Sequence, residues 1–226
     1  MHCLTDIPFT LDAAELMPRA HVDPQGEDAA AFAALVERAR AVARPKALYR
    51  EAFIDAKGPD TIRIGTITFT SRMLRANLDA AERVFAYVAT CGHEMDEPEI
   101  PDDFLSPFWW DTIKAALLGA ALTYAVDHIR HRYRLEKTSS MHPGSGDANV
   151  WPIQQQRELF ALLDGVTPHI GVTLTDTCLM LPNKTVSGVL FPTARDFRSC
   201  QVCHRAECPN RSAPFDEALW KTLQHE

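Results

Sequence analysis

No stretch of this sequence is apolar for long enough to cross a bilayer. The most apolar run, Ala115 to Val126, is 12 residues set between Lys114 and Asp127, whereas a spanning helix needs about 20. Positive charge is also in deficit: 23 lysines and arginines face 30 aspartates and glutamates, a formal charge of −7. Nonspecific attraction to nucleic-acid backbones or anionic lipid is therefore not expected. The opening MHCLTDIPFTLDAAELM lacks a basic segment leading into a long apolar core, so no export signal is read and a cytoplasmic protein is expected. Repeats and low-complexity tracts are missing as well. So are the Gly-Lys-Ser/Thr of a phosphate loop and, in GSGDAN, the third glycine of a dinucleotide fingerprint.

What is present is the balance of a globular chain: 46 % hydrophobic and 23 % charged residues over 226 positions, enough for one domain with a tail. We read residues 1–195 as that domain, with 1–45 as a helical arm, and 196–226 as a cysteine-rich tail. EDAAAFAALVERARAVA is amphipathic, with Phe32, Leu35, Val36, Ala39 and Val42 at three- and four-residue steps, and Arg44-Pro45 ends it. KALYREAFI and TIRIGTITFTS read as paired strands about the turn Lys57-Gly58-Pro59-Asp60, with Gly65 as a candidate bulge because the apolar parity changes there. A short helix from Ser71 and a strand through RVFAYVATC follow.

SPFWWDTIKAALLGAALTYAVDHIRHRYR is the longest helical pattern and is expected to be the central helix, its Ala/Gly-rich middle packed tightly in the core. Trp109 and Trp110 at its start are read as a core staple. Pro152 suits the first turn of a later helix that ends at Gly165. HIGVTLTDTCLMLPNKTVSGVLF returns to strand-like alternation. The order predicts an α+β fold with a mostly antiparallel twisted sheet and one long helix.

The most punctuated segment is SSMHPGSGDANVWPIQQQRELFALL. A glycine-rich turn before a helix presents backbone groups to a ligand, and glycine lets that ligand approach. Together, HPGSGDANVWPIQQQRELFALL and IGVTLTDTCLMLPNKTVSGVLF resemble the reactivation (activation) domain of cobalamin-dependent methionine synthase and its small stand-alone relatives. The residues carrying the likeness are Pro143-Gly144, Ile170-Gly171-Val172, Leu174-Thr175, Cys178, Met180, Pro182 and Val186-Ser187-Gly188.

The resemblance implies a helmet-like α+β domain that binds S-adenosylmethionine and docks on a corrinoid protein. The cobalamin is carried by that methyltransferase partner, whose inactive cob(II) state is returned by one-electron reduction trapped by methyl transfer. It places the nucleoside at Met141, His142, Pro143, Gly144, Ser145, Gly146 and Asp147. Where the family motif reads Arg-x-Ala-Pro-Gly-Tyr, this chain has Ser140 and Ser145 at the arginine and tyrosine positions. Arg132, Arg134 and His142 are the candidates to replace the lost cation, and Asp147 or Asp127 to face the ligand's ammonium or sulfonium.

The tail FRSCQVCHRAECPNR sets Cys200, Cys203 and Cys208 in a C-x2-C-x4-C pattern, a spacing that suits an iron–sulfur cluster or zinc and differs from the C-x3-C-x2-C of radical enzymes. Cys178 is the first choice of fourth ligand, with Cys91, His204 and Cys3 as others; zinc with His204 or His93 would staple the tail. CGHEMDEPEIPDD is read as a solvated acidic loop. Three functions stay open: a reactivation-type accessory protein using S-adenosylmethionine, a metal-binding module docking on a corrinoid protein without it, and a zinc-stapled interaction protein.

Overall fold

The computed structural model describes all residues except 97, 147–149, 195–196, 209–210 and 226, and no side chains for 222–225. Its chain runs β1 (His2–Leu4), α1 (Ala13–Leu16), α2 (Ala29–Val42), β2 (Lys46–Phe53), β3 (Ala56–Lys57), β4 (Thr61–Ile64), β5 (Ile67–Thr70), α3 (Arg72–Asn77), β6 (Arg83–Thr90) and α4 (Ser106–Tyr133). Then come β7 (Thr138–Met141), α5 (Gln156–Leu163), α6 (Val166–Ile170), β8 (Thr173–Leu174), β9 (Met180–Leu181), β10 (Thr185–Pro192) and α7 (Glu217–His225).

Five strands form one antiparallel sheet in the order β1-β2-β6-β10-β7. Residues alternate between its faces. Leu48, Ala52, Val84, Ala86, Val88, Val189 and Phe191 join one core with α3, α5, α6 and the small β3-β4-β5 sheet. On the other face, Ala47 and Ala89 meet Ala121 and Ala125 of α4, and Tyr49, Phe85, Tyr87 and Leu190 meet Ile129. Because both faces are covered, β6 is buried almost throughout, which is why RVFAYVATC shows no polar alternation.

The expected long helix is α4, 28 residues ended by Arg134 in the left-handed conformation. Trp109 and Trp110 are buried as anticipated: Trp109 meets Phe32 edge-on at 5.9 Å, and Trp110 Nε1 donates to the Met95 carbonyl at 2.8 Å. The packed-middle expectation holds only in part. Ala121 and Ala125 allow the sheet to come close, whereas a Cβ on Gly119 would meet nothing within 4 Å. Among the described residues, no helix is long and apolar enough to cross a membrane.

The first strand pairing differs from the expectation. KALYREAF pairs with β1 and β6, and TIRI pairs with ITFT about Thr66, Ile62 opposite Phe69. Gly65, at φ +58, makes that hairpin turn rather than a bulge. The parity changes there because two strands meet, not because one strand kinks. Ser71 caps α3 by accepting from Leu74 N at 2.9 Å, and its hydroxyl also donates to the Val150 carbonyl, which ties the punctuated loop to the helix start.

The tail packs back on the domain. Phe197 and Val202 enter the larger core, and Leu219 and Trp220 lie against it. Arg211 works as a clasp: its guanidinium donates to the carbonyls of Cys200 at 3.0 Å, Cys203 and Ala213 at 3.2 Å each, and Arg205. His204 packs tilted on Phe215 and edge-on to Trp220, each at 4.6 Å between ring centres.

Candidate functional site

Pro143 and Gly144 occupy the centre of a β-turn in which Ser145 N donates to the His142 carbonyl at 3.2 Å. Proline first and a positive-φ glycine second (Gly144, φ +77) is the type II signature. The turn is held from behind by Gly144 N donating to the Trp151 carbonyl at 2.8 Å, and Trp151 is fully buried edge-on to Phe69.

The glycines do not, however, open the turn to a ligand as expected. A Cβ on Gly144 would stand 2.9 Å from Ile153, and Gly146 lies over Ser199 and Cys203 of the tail. At Gly144 the space is taken by the Ile153 side chain, whereas Gly146, at φ +87, serves turn geometry with its neighbours at ordinary contact distance.

The turn nevertheless separates two clefts. One, about 460 Å³, has His142, Pro143, Gly144 and Ser145 on one side and Cys178, Met180, Ser187 and the buried Gln156 on the other. Its lip is apolar and exposed, formed by Ile153, Leu179 and Leu181. The second, about 430 Å³, lies between β7 and the tail and shares His142 and Ser145. Both sizes fall in the range of small-molecule sites, about 300–1,000 Å³.

His142 stands at the partition. Its Nε2 is 2.7 Å from the Tyr87 hydroxyl, and the imidazole lies over Gly188, where a Cβ would come within 2.6 Å of Cδ2 and 2.5 Å of the Met141 carbonyl. Burial pushes the His142 pKa down to about 4 and raises that of Tyr87. At neutral pH the pair is therefore an uncharged imidazole accepting from a phenol, or donating to it, according to tautomer. His142 cannot stand in for a missing arginine.

The other expected site residues fall as follows. Met141 is buried in the core and lines neither cleft. Asp147 lies outside the described residues. Asp127 faces a separate groove with Phe9 and Gly119 on the outer side of α4. Arg132 and Arg134 are exposed and line neither cleft. Arg198, which sequence reading passed over, lines the second cleft.

The metal expectation meets a geometric obstacle. Cys178, with φ +63, closes a turn to Thr175 and faces the first cleft, whereas Cys200 faces the second, across the His142–Ser145 turn. Among the described residues no group of three or more His, Cys, Asp or Glu side chains is arranged to hold a metal ion, and Cys178 and Cys200 line different clefts. His204 is engaged by aromatic rings. Cys91 is buried with its thiol pushed up to about 12. His93, Glu94 and Asp96 belong to ion-paired packing, with Lys46 on Glu94 and Lys114 on Asp96.

No protein-family model matches this sequence, and no curated protein matches it. Among solved structures, the crystal structure of the MetH reactivation domain bound to AdoHcy superposes with a TM-score of 0.54 at 15 % identity, over 84 % of this chain and 73 % of that one. This chain has the fold of the MetH reactivation domain. The likeness covers the antiparallel sheet and the long central helix, so the fold expected from the loop and strand motifs is the fold observed.

Tyr87 and Gly188, which touch His142, and Gln156 and Arg198, which line the clefts, were given no role at the site by the sequence. Tyr87 is hidden in a uniformly buried strand. Gly188 was visible only as part of Val-Ser-Gly, whose steric purpose, admitting the imidazole, needs the neighbouring strand to be seen.

Proposed function

We propose that this protein is an accessory domain for a corrinoid-dependent methyltransferase, binding an S-adenosylmethionine-like nucleoside in the first cleft beside the His142 turn. The observation that carries the reading is the coincidence of that cleft with the two motif segments: the Pro-Gly turn forms one wall and the Cys178–Ser187 region the other, on the fold shared with the MetH reactivation domain. A mainly apolar cleft with a few polar groups, here Gln156, Asn183 and Ser187, suits a purine nucleoside. The bound nucleoside would supply a methyl group to the partner's corrinoid. The chain's own contribution is to hold that nucleoside against the turn's backbone, exclude water with the apolar lip, and keep a neutral imidazole at the partition. The same lip, Ile153, Leu179 and Leu181, would meet the partner.

The experiment is calorimetric titration with S-adenosylmethionine and S-adenosylhomocysteine, followed by biosensor titration with a cobalamin-loaded methyltransferase module. Saturable nucleoside binding, weakened at least tenfold by Leu179→Glu, is expected. Failure of both ligand and partner to bind overturns the proposal. The filled space at Gly144 and the serines at 140 and 145 favour a second reading, docking on the corrinoid partner without the nucleoside. A flat calorimetric trace with partner binding intact would select it.

A further inference from the structure

The second cleft differs from the first in chemistry. Thr138, Ser139, Ser140, Ser145 and Ser199 are among the residues that line it, and Arg198 is the only charged residue among the described ones that do so. No carboxylate lines it among those residues, although the chain as a whole carries a formal charge of −7. Val126, Leu190 and Phe197 add apolar lining.

Two features make this a shaped site rather than a polar surface. The first is anchoring: Arg198 Nη1 donates to the Ser212 carbonyl at 2.8 Å, and Arg198 N donates to Gln201 Oε1 at 2.7 Å. The guanidinium is thus positioned at the cleft with only one of its five donors spent on that carbonyl. The second is the strand edge: among the described residues β7 pairs only with β10, so the outward amides of that strand are not consumed by the sheet. Cys200 Sγ is held by Ser212 N and Oγ, each at 3.4 Å, and serves as wall. His142, neutral because burial lowers its pKa to about 4, adds no competing charge.

A fixed guanidinium in a cleft lined by hydroxyl-bearing residues and free of carboxylates among the described ones suits an oxyanion. We infer that the cleft between β7 and the C-terminal tail is a binding site for a small oxyanion, a carboxylate or a phosphate, with Arg198 as its counter-ion. The inference stands on this cleft and not on the nucleoside reading. It also gives the tail a function beyond packing, since Arg198, Ser199 and Ser212 all come from it.

Calorimetric titration with inorganic phosphate and, separately, with L-methionine distinguishes the two sources of the oxyanion. Saturable binding of at least one is expected. Arg198→Gln should weaken it at least tenfold, with Arg198→Lys recovering part of the loss as a point charge replaces the fork; Arg198 is exposed, and circular dichroism melts should show both variants folded. Absence of binding by both anions, or binding that Arg198→Gln leaves unchanged, overturns the inference. 5′-Methylthioadenosine, which carries neither carboxylate nor phosphate, separates the two proposals: anion binding lost in Arg198→Gln, with no thioadenosine binding, supports this site and refutes the nucleoside cleft.

Discussion

The burial of His142 makes stability depend on acid in a calculable way. The unfolded chain protonates this imidazole near 6.5, whereas the folded chain does so only near 4. Below pH 6.5 the unfolded state binds the extra proton, so stability falls as pH drops and is fully present above 6.5. At about 1.36 kcal/mol for each pH unit separating the two values, the loss between pH 6.5 and 4 is about 3 kcal/mol. The cause is desolvation beside Tyr87. Urea unfolding at intervals from pH 8 to 4, on wild type and on His142→Gln, isolates the effect. Glutamine keeps hydrogen-bonding capacity for the Tyr87 hydroxyl and does not titrate, and carboxylates that protonate in both proteins cancel in the difference. The difference between the two proteins should be flat above pH 6.5 and change by about 3 kcal/mol by pH 4, in favour of the variant. Parallel profiles through that window would refute the desolvated, neutral imidazole beside Tyr87.

Gly188→Ala drives a methyl group against the Met141 carbonyl and the His142 ring, and should cost about 1–3 kcal/mol by overpacking while displacing the turn; urea unfolding and ligand titration measure both. Arg211→Ala removes a guanidinium that serves four tail carbonyls, so trypsin should cut at Arg198 and Arg205 faster than in wild type, with the core melting temperature little changed. Iron, zinc and sulfide analysis of anaerobically purified protein tests the same clasp: stoichiometric metal lost on Cys200→Ser would show that thiolates, rather than Arg211, organise the tail. Cys91 should resist iodoacetamide at pH 7.5 in the native protein, since a thiol pushed up to about 12 by burial is thiolate in fewer than about one molecule in ten thousand; labelling there as fast as at exposed Cys3 would contradict its buried position.

Local signals determined much of this molecule before any contact was known. The three- and four-residue apolar steps of α2, the uncharged centre of α4, the proline–glycine turn and the motif segments all follow from backbone preference and side-chain periodicity, which act within a few residues. Strand partners do not. Whether KALYREAF pairs with TIRI or with RVFAYVAT depends on which faces both find cover, and here α4 on one side and α5 on the other bury the central strands. The same holds for the site: the spacing of Cys200, Cys203 and Cys208 reads as a ligand set, but the turn at His142 places Cys178 in a different cleft. Tertiary structure alone brought Tyr87 to His142, Ile153 to Gly144 and Arg198 to the cleft beside β7, because burial and excluded volume are properties of neighbours distant in the chain.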